Sequence, residues 1–186
     1  MAALKNTLET PAVVLETTAQ LITLLEQQIE QYRLAATQLI QGHEVLSKTY
    51  SLIIGIKGIA NASAIQIMGE LMALPEGLNV KQWVAYAGLD PRQFESGSSV
   101  LKKPRLSKAG NKYIRQALYM PALVASRSEP NVKAYYLHLI EDNGLKKLQA
   151  LCAVMRKLLH AIYGVLKNQE AFDGQRFYAL PVQKAV

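Results

Sequence analysis

The chain has 186 residues, enough for one modest domain and an extension, and half of them are apolar, which excludes a disordered chain. Its 21 lysines and arginines outnumber 14 aspartates and glutamates, for a formal net charge of +7. Charges interrupt every apolar stretch before membrane-spanning length, the start lacks a secretory pattern, and the lone Cys152 excludes an intrachain disulfide, so a reducing cytoplasm and no membrane are expected.

Residues Pro11 to Tyr50 read as one long helix, with Thr10 as its cap and Pro11 in its first turn. A seven-residue repeat sets Leu15, Ile22, Ile29, Ala36, His43 and Tyr50 on one seam and Thr18, Leu25, Tyr32, Leu39 and Leu46 on the other. Such knobs need a facing helix, from a second copy or from later in this chain. The predicted organisation is a coiled-coil helix over residues 1–50, serving dimerisation, a compact helical domain over 51–168, and a frayed tail over 169–186. The fold class is all-α.

Within SLIIGIKGIANASAIQIMGEL, residues 51–71, a helix ends near Gly55, Ile56 to Ala60 make a tight hairpin, and a second helix starts near Asn61. A helix–hairpin–helix of this kind presents amides to phosphate. Gly58 lets the backbone approach another chain, and Lys57 adds charge. Its usual form has glycine on both sides of the central apolar residue; here Ala60 takes the second place, and a plain interhelix turn is the alternative. VKQWVAYAGL, residues 80–89, reads as a short helix ended by Gly88, with Trp83 and Tyr86 packed in the core.

From Asp90 to Leu106 neither a helical nor a strand period is found, and a loop of that length is often functional. Ser107 is expected to cap a helix on which Lys108, Lys112 and Arg115 share one face, opposite Tyr113, Ile114, Ala117 and Leu118, with Pro121 bending or ending it near Met120. Seven basic residues lie between Arg92 and Arg115, the others being Lys102, Lys103, Arg105, Lys108 and Lys112. The single acid among them is Glu95, so this span carries +6 of the total. Solvated faces mix both signs; a one-sided block points to nucleic-acid phosphate. Two more helices follow, over about Val132–Glu141 and Lys146–Lys167, the second with Leu148, Leu151, Met155, Leu158, Leu159, Ile162 and Leu166 as its buried stripe. No strand is expected.

Chemistry-bearing residues are few. His43, His138 and His160 lie far apart and without cysteine or carboxylate companions at ligand spacing, so no metal site is expected. A serine is a weak nucleophile unless a base or a positive field assists it, and Ser96-Gly97 at the head of the cation block meets the second condition. Ser98 and Ser99 are open alternatives as neutral phosphate donors, and spacing alone favours a flexible polar loop over a catalytic serine.

Four blocks, "IKGIANASA", "WVAYAGLDPRQFESGSS", "RLSKAGNKYIRQALYMPALVA" and "ALCAVMRKLLHAIYGVL", together resemble the C-terminal transposase domain of one bacterial insertion-sequence family. That family is typified by elements 110, 116 and 902 and includes a pilin-gene invertase. The resemblance covers roughly residues 50 to 168. It implies a DNA transposase or site-specific recombinase of two parts. An N-terminal RuvC-like domain binds magnesium through four acidic residues, and a C-terminal domain contributes a serine that attacks DNA. The serine of the family's "SG" step corresponds to Ser96, and its basic helix sets Lys108, Lys112 and Arg115 against DNA or a guide (bridge) RNA. The resemblance thus implies DNA and guide RNA as partners, a homodimer or higher homo-oligomer through the coiled coil, a place in the bacterial cytoplasm at the nucleoid, and no cofactor in this chain itself. With no acidic nuclease domain before the coiled coil, the chain is expected to be a C-terminal part, inactive alone. The alternative is a non-catalytic, dimeric helix–hairpin–helix module that binds nucleic acid.

Overall fold

The computed structural model describes residues 11–96 and 100–180, and of residues 93–96 and 100–105 the backbone only. The chain forms two compact units, Met1–Gly42 and His43–Val186.

The first unit is a single helix, α1 (Ala12–Gln41). Both of its apolar seams are open: Leu15, Ile22, Ile29, Leu25, Tyr32 and Leu39 are all about half exposed or more. Correcting the expected helix from Pro11 to Tyr50, the chain breaks at Gly42–His43. Gly42 ends α1, donating its N–H to Gln38 O at 2.9 Å. His43 then turns to extended backbone at φ −127° and begins α2 (Glu44–Ile54). Glycine is the weakest helix former after proline, and here it releases the backbone between two helices. His43 is therefore an exposed N-terminal boundary residue instead of a seam residue.

In the second unit α2 is followed by α3 (Asn61–Met72), α4 (Val80–Tyr86), strands β1 (Pro91–Ser96) and β2 (Val100–Leu106), α5 (Lys112–Ser128), α6 (Pro130–Glu141), α7 (Lys147–Asn168) and the short α8 (Gly174–Phe177). Helices α5 and α7 pack together at the centre; α3 and α6 lie against α5, and α2, α4 and α6 against α7. The α7 stripe of Leu151, Val154, Met155, Leu158, Leu159 and Ile162 is buried, as a 3.6-residue period requires. Each such side chain contributes roughly 1.5–3 kcal/mol by leaving water. Leu148, expected in that stripe, is instead exposed. Trp83 meets Tyr163 edge to face, ring centroids 5.0 Å apart, and joins α4 to α7.

The fold is mainly helical, but the segment read as a structureless loop is an antiparallel β-hairpin. Its strand period is hidden by an irregularity. Between the pairs Arg92↔Arg105 and Phe94↔Lys102 the register shifts, so Lys103 and Pro104 together stand opposite Gln93. Proline has no N–H for the ladder, and a bulge is one of the few places where a strand tolerates it. Two further expectations are corrected. Pro121 does not end α5, which continues to Ser128 with Pro121, Ala122 and Ala125 buried. The missing hydrogen bond costs about 3 kcal/mol in an exposed helix, and burial of this face offsets it. Over residues 169–180 the chain does not fray: Gln169 ends α7 in the left-handed conformation, α8 follows, and Asn131 Nδ2 donates to Tyr178 O at 2.7 Å.

Candidate nucleic-acid interface

The hairpin stands on a tightly bonded base. Backbone bonds run from Ser107 N to Asp90 O (2.9 Å), from Lys108 N to Gly88 O (3.1 Å) and from Asn111 N to Tyr86 O (2.7 Å). The Ser107 hydroxyl donates to Asp90 Oδ1 at 2.7 Å and accepts from Ala109 N at 3.3 Å. Ser107 therefore clasps the two strand ends; it does not cap a helix. The cap of α5 is Asn111, whose Oδ1 accepts from Tyr113 N at 2.8 Å and from Ile114 N at 3.4 Å. Its Nδ2 donates to Glu70 Oε2 on α3 and, at 3.3 Å, to the Tyr86 hydroxyl. Gly110, at φ +148°, passes so close to Tyr86 O that a Cβ has no room.

Arg115 completes the base. Its Nη1 donates to Ala87 O at 2.8 Å and to Gly110 O and Asn111 O at 3.3 Å each. The residue is half-buried and holds the turn to α4. The expected row of Lys108, Lys112 and Arg115 on one helix face does not form, because α5 starts only at Lys112 and Lys108 lies before it in left-handed backbone at φ 52°. Lys108 and Lys112 are both exposed, and the Lys112 ammonium lies 5.0 Å from the Tyr113 ring centroid.

Ser96 is the last paired residue of β1, opposite Val100. Lys102 lies two residues along β2 from that partner, roughly 7 Å by strand rise. Lys103 stands at the register shift, and Arg105 pairs with Arg92, which is exposed. The backbone thus gathers Ser96, Arg92, Lys102, Lys103 and Arg105 on one two-stranded element. Gly97, Ser98 and Ser99 lie outside the described residues.

The second predicted phosphate site divides. Lys57 is exposed, but Gly58 makes its close approach within the chain. At φ +110°, a Cβ on it would lie 2.8 Å from Pro121 O and Ala125 N of α5. Ile56 and Ile59 are buried on either side, so the turn between α2 and α3 is seated on the core. Ala60 precedes α3 with no side-chain cap. Trp83 and Tyr86 serve packing and the hairpin base. Cys152 is half-buried, and burial pushes its thiol above its ordinary range, with the Lys108 charge opposing.

Among the described residues no three histidines, cysteines or carboxylates come together as a metal site. Nor is any helix among them long and apolar enough to cross a membrane. Ser107 was read from sequence as a helix cap, and the base residues Glu70, Asp90, Gly110 and Asn111 were not singled out; the signal for all but Glu70 was the "GLD" and "SKAGN" blocks, separated by a hairpin whose pairing was not legible.

Residues 50–137 match the model of the Transposase IS116/IS110/IS902 family. The pilin gene-inverting protein of Moraxella bovis is 33% identical over 139 residues, covering 73% of this chain and 42% of that protein. The pilin gene-inverting protein of Moraxella lacunata is 32% identical over 136 residues, with the same coverage. The chain therefore spans about two fifths of the length of these relatives.

Proposed function

We propose, for a chain that carries the transposase domain of the IS116/IS110/IS902 family, that it is the serine-bearing, DNA-binding part of a transposase or site-specific recombinase. The observation that carries this reading is the hairpin. Ser96 stands at the end of β1, three cations follow on β2, and the base is fixed by Asn111, Arg115 and the Asp90–Ser107 pair. A rigid mount for a polar tip is what positioning a reacting phosphate requires.

In the proposed step the Ser96 Oγ attacks a DNA phosphorus. An O–P bond to serine forms, the bond from phosphorus to one sugar oxygen breaks, and the released sugar oxygen takes up a proton. The serine proton goes to a base outside the described residues. Lys102, Lys103 and Arg105 offset the charge that builds on the phosphate oxygens, and Arg92, Lys108, Lys112 and Lys57 hold the flanking backbone. Arg115 supports the site from below, and Gly58 supports the fold. Magnesium, implied by the resemblance for a separate acidic domain, has no donor set among the described residues, so no step is routed through it. A guide RNA would engage the same cations. Pairing of α1 with a second copy through its open seams gives the homo-oligomer.

The test is covalent capture. In the protein joined to its acidic domain, Ser96→Ala is expected to abolish both strand exchange and the protein–DNA adduct on a denaturing gel, with DNA affinity within about twofold. An adduct that persists in Ser96→Ala and vanishes in Ser98→Ala or Ser99→Ala moves the role to that neighbour. An adduct absent from the unsubstituted protein under all conditions favours the non-catalytic binding module.

A further inference from the structure

Remote from the hairpin in sequence, α6, α7 and α8 border a half-open cavity of about 600 Å³. One wall is a helical face carrying Arg156, Lys157 and His160, spaced as neighbours on α7. Small residues leave that wall low: Ala153, Ala161 and Gly164 line it, and a Cβ placed on Gly164 would meet nothing within 4 Å. The opposite wall is aromatic, from Tyr135 on α6 and from Phe172 and Phe177 around α8. Tyr135 and Phe177 meet edge to face at 5.8 Å, and Phe172 stands 6.1 Å from Phe177.

The charges in the cavity do not balance. Its acids, Glu170 and Asp173, are both engaged by Arg176, at 2.7 and 3.7 Å. Asp173 also caps α8 through Gln175 N at 2.8 Å. Neither Arg156 nor His160 has a hydrogen bond or a carboxylate partner among the described residues. The Lys157 ammonium rests 4.0 Å from the Tyr135 ring centroid, with Phe177 at 5.2 Å and Tyr178 at 5.4 Å. Burial holds both Lys157 and His160 below their ordinary proton affinity, and for His160 the neighbouring Arg156 and Lys157 add to the effect. Burial of Lys157 and His160 carries a desolvation cost, and an anion beside them and Arg156 would relieve it. A lone phosphate leaves the aromatic wall unused, whereas one nucleotide engages both the basic and the aromatic walls.

We infer that the α6–α7–α8 cavity binds one unpaired nucleotide of a single-stranded nucleic acid, its phosphate against Arg156 and His160 and its base against Tyr135 and Phe172. The inference rests on the reading of the chain as a nucleic-acid-binding protein, but on different residues from the hairpin. Strand exchange requires unpaired strands, and aromatic stacking recognises them without regard to sequence.

The probe is a fluorescent fifteen-residue oligothymidylate, compared with a duplex of equal length and with thymidine monophosphate, using the full chain. Arg156→Gln with His160→Gln is expected to weaken single-strand binding about tenfold while duplex affinity stays within about twofold. A strand carrying 4-thiothymidine should crosslink to the Tyr135 or Phe172 peptide of the unsubstituted protein, a result that does not depend on the variant folding. Unchanged single-strand affinity, equal losses for strand and duplex, or crosslinking confined to the hairpin would each overturn the inference, as would tight binding of the monophosphate that a strand does not compete away. Lys102→Ala with Lys103→Ala separates the two readings: it should weaken duplex binding and spare the crosslink.

Discussion

Arg115 illustrates how a residue that looks like a ligand contact from its charge can be a fastener, and Asn111 beside it fastens the same base. Asn111 spends its oxygen on the first amides of α5 and its nitrogen on Glu70 and Tyr86. Asn111→Ala is expected to cost about 1–2 kcal/mol, read as a lower urea midpoint with an unchanged slope. Arg115→Lys keeps the charge but loses the guanidinium whose Nη1 reaches three carbonyls. It should lower the midpoint by an amount equivalent to about 1 kcal/mol and leave the salt dependence of DNA binding nearly unaltered. A variant with unchanged stability and a flatter salt dependence would return Arg115 to the DNA-contacting set. Gly58→Ala should be more damaging than either, because positive φ and the α5 backbone both oppose a Cβ. His160 adds a pH signature. Its folded-state pKa lies below the unfolded value, so the unfolded chain binds the proton first on acidification. The neutral ring's contribution to stability is therefore present above the unfolded pKa near 6.5 and is lost as pH falls toward the folded one. His160→Gln should flatten the decline in thermal midpoint over that interval, measured by calorimetry.

At the scale of elements, the hairpin is the feature that the sequence concealed. Its strands do not alternate cleanly, because Pro104 and the register shift interrupt the two-residue period within a seven-residue strand. The cations were legible; their placement on paired strands was not, since pairing is decided by the clasp at Asp90–Ser107 and the turn through Gly110, which are contacts distant in sequence. The expected consequence is specific to the element. Lys102→Ala with Lys103→Ala should reduce the log–log salt slope of DNA affinity by about 2, while unfolding changes little. For α1 the seven-residue repeat predicts a seam, and its residues stand open together with Leu21, Leu24 and Leu34 off the seam. Ile22→Asp with Leu25→Asp is expected to convert the assembled protein to monomers by analytical ultracentrifugation; unchanged mass would exclude that seam from assembly.

For the whole molecule, the sequence by itself determined a helical protein, a seven-residue apolar repeat over α1, the apolar stripe of α7, the concentration of charge between Arg92 and Arg115, and the resemblance to a transposase family. All of these are carried by local period, composition or contiguous motifs, and each survives whatever the rest of the chain does. The tertiary structure alone decided that Pro121 lies inside a helix, that the basic loop is a hairpin, and that Arg115 and Gly58 face inward. It also decided that the chain past Asn168 folds back to border a basic, aromatic cavity on α7. Those outcomes depend on partners distant along the chain, such as Asp90 with Ser107, Arg115 with Ala87, Asn131 with Tyr178 and Gly58 with Pro121. A window of sequence has no access to them, because the free energy that fixes them is gained only when both partners leave water together.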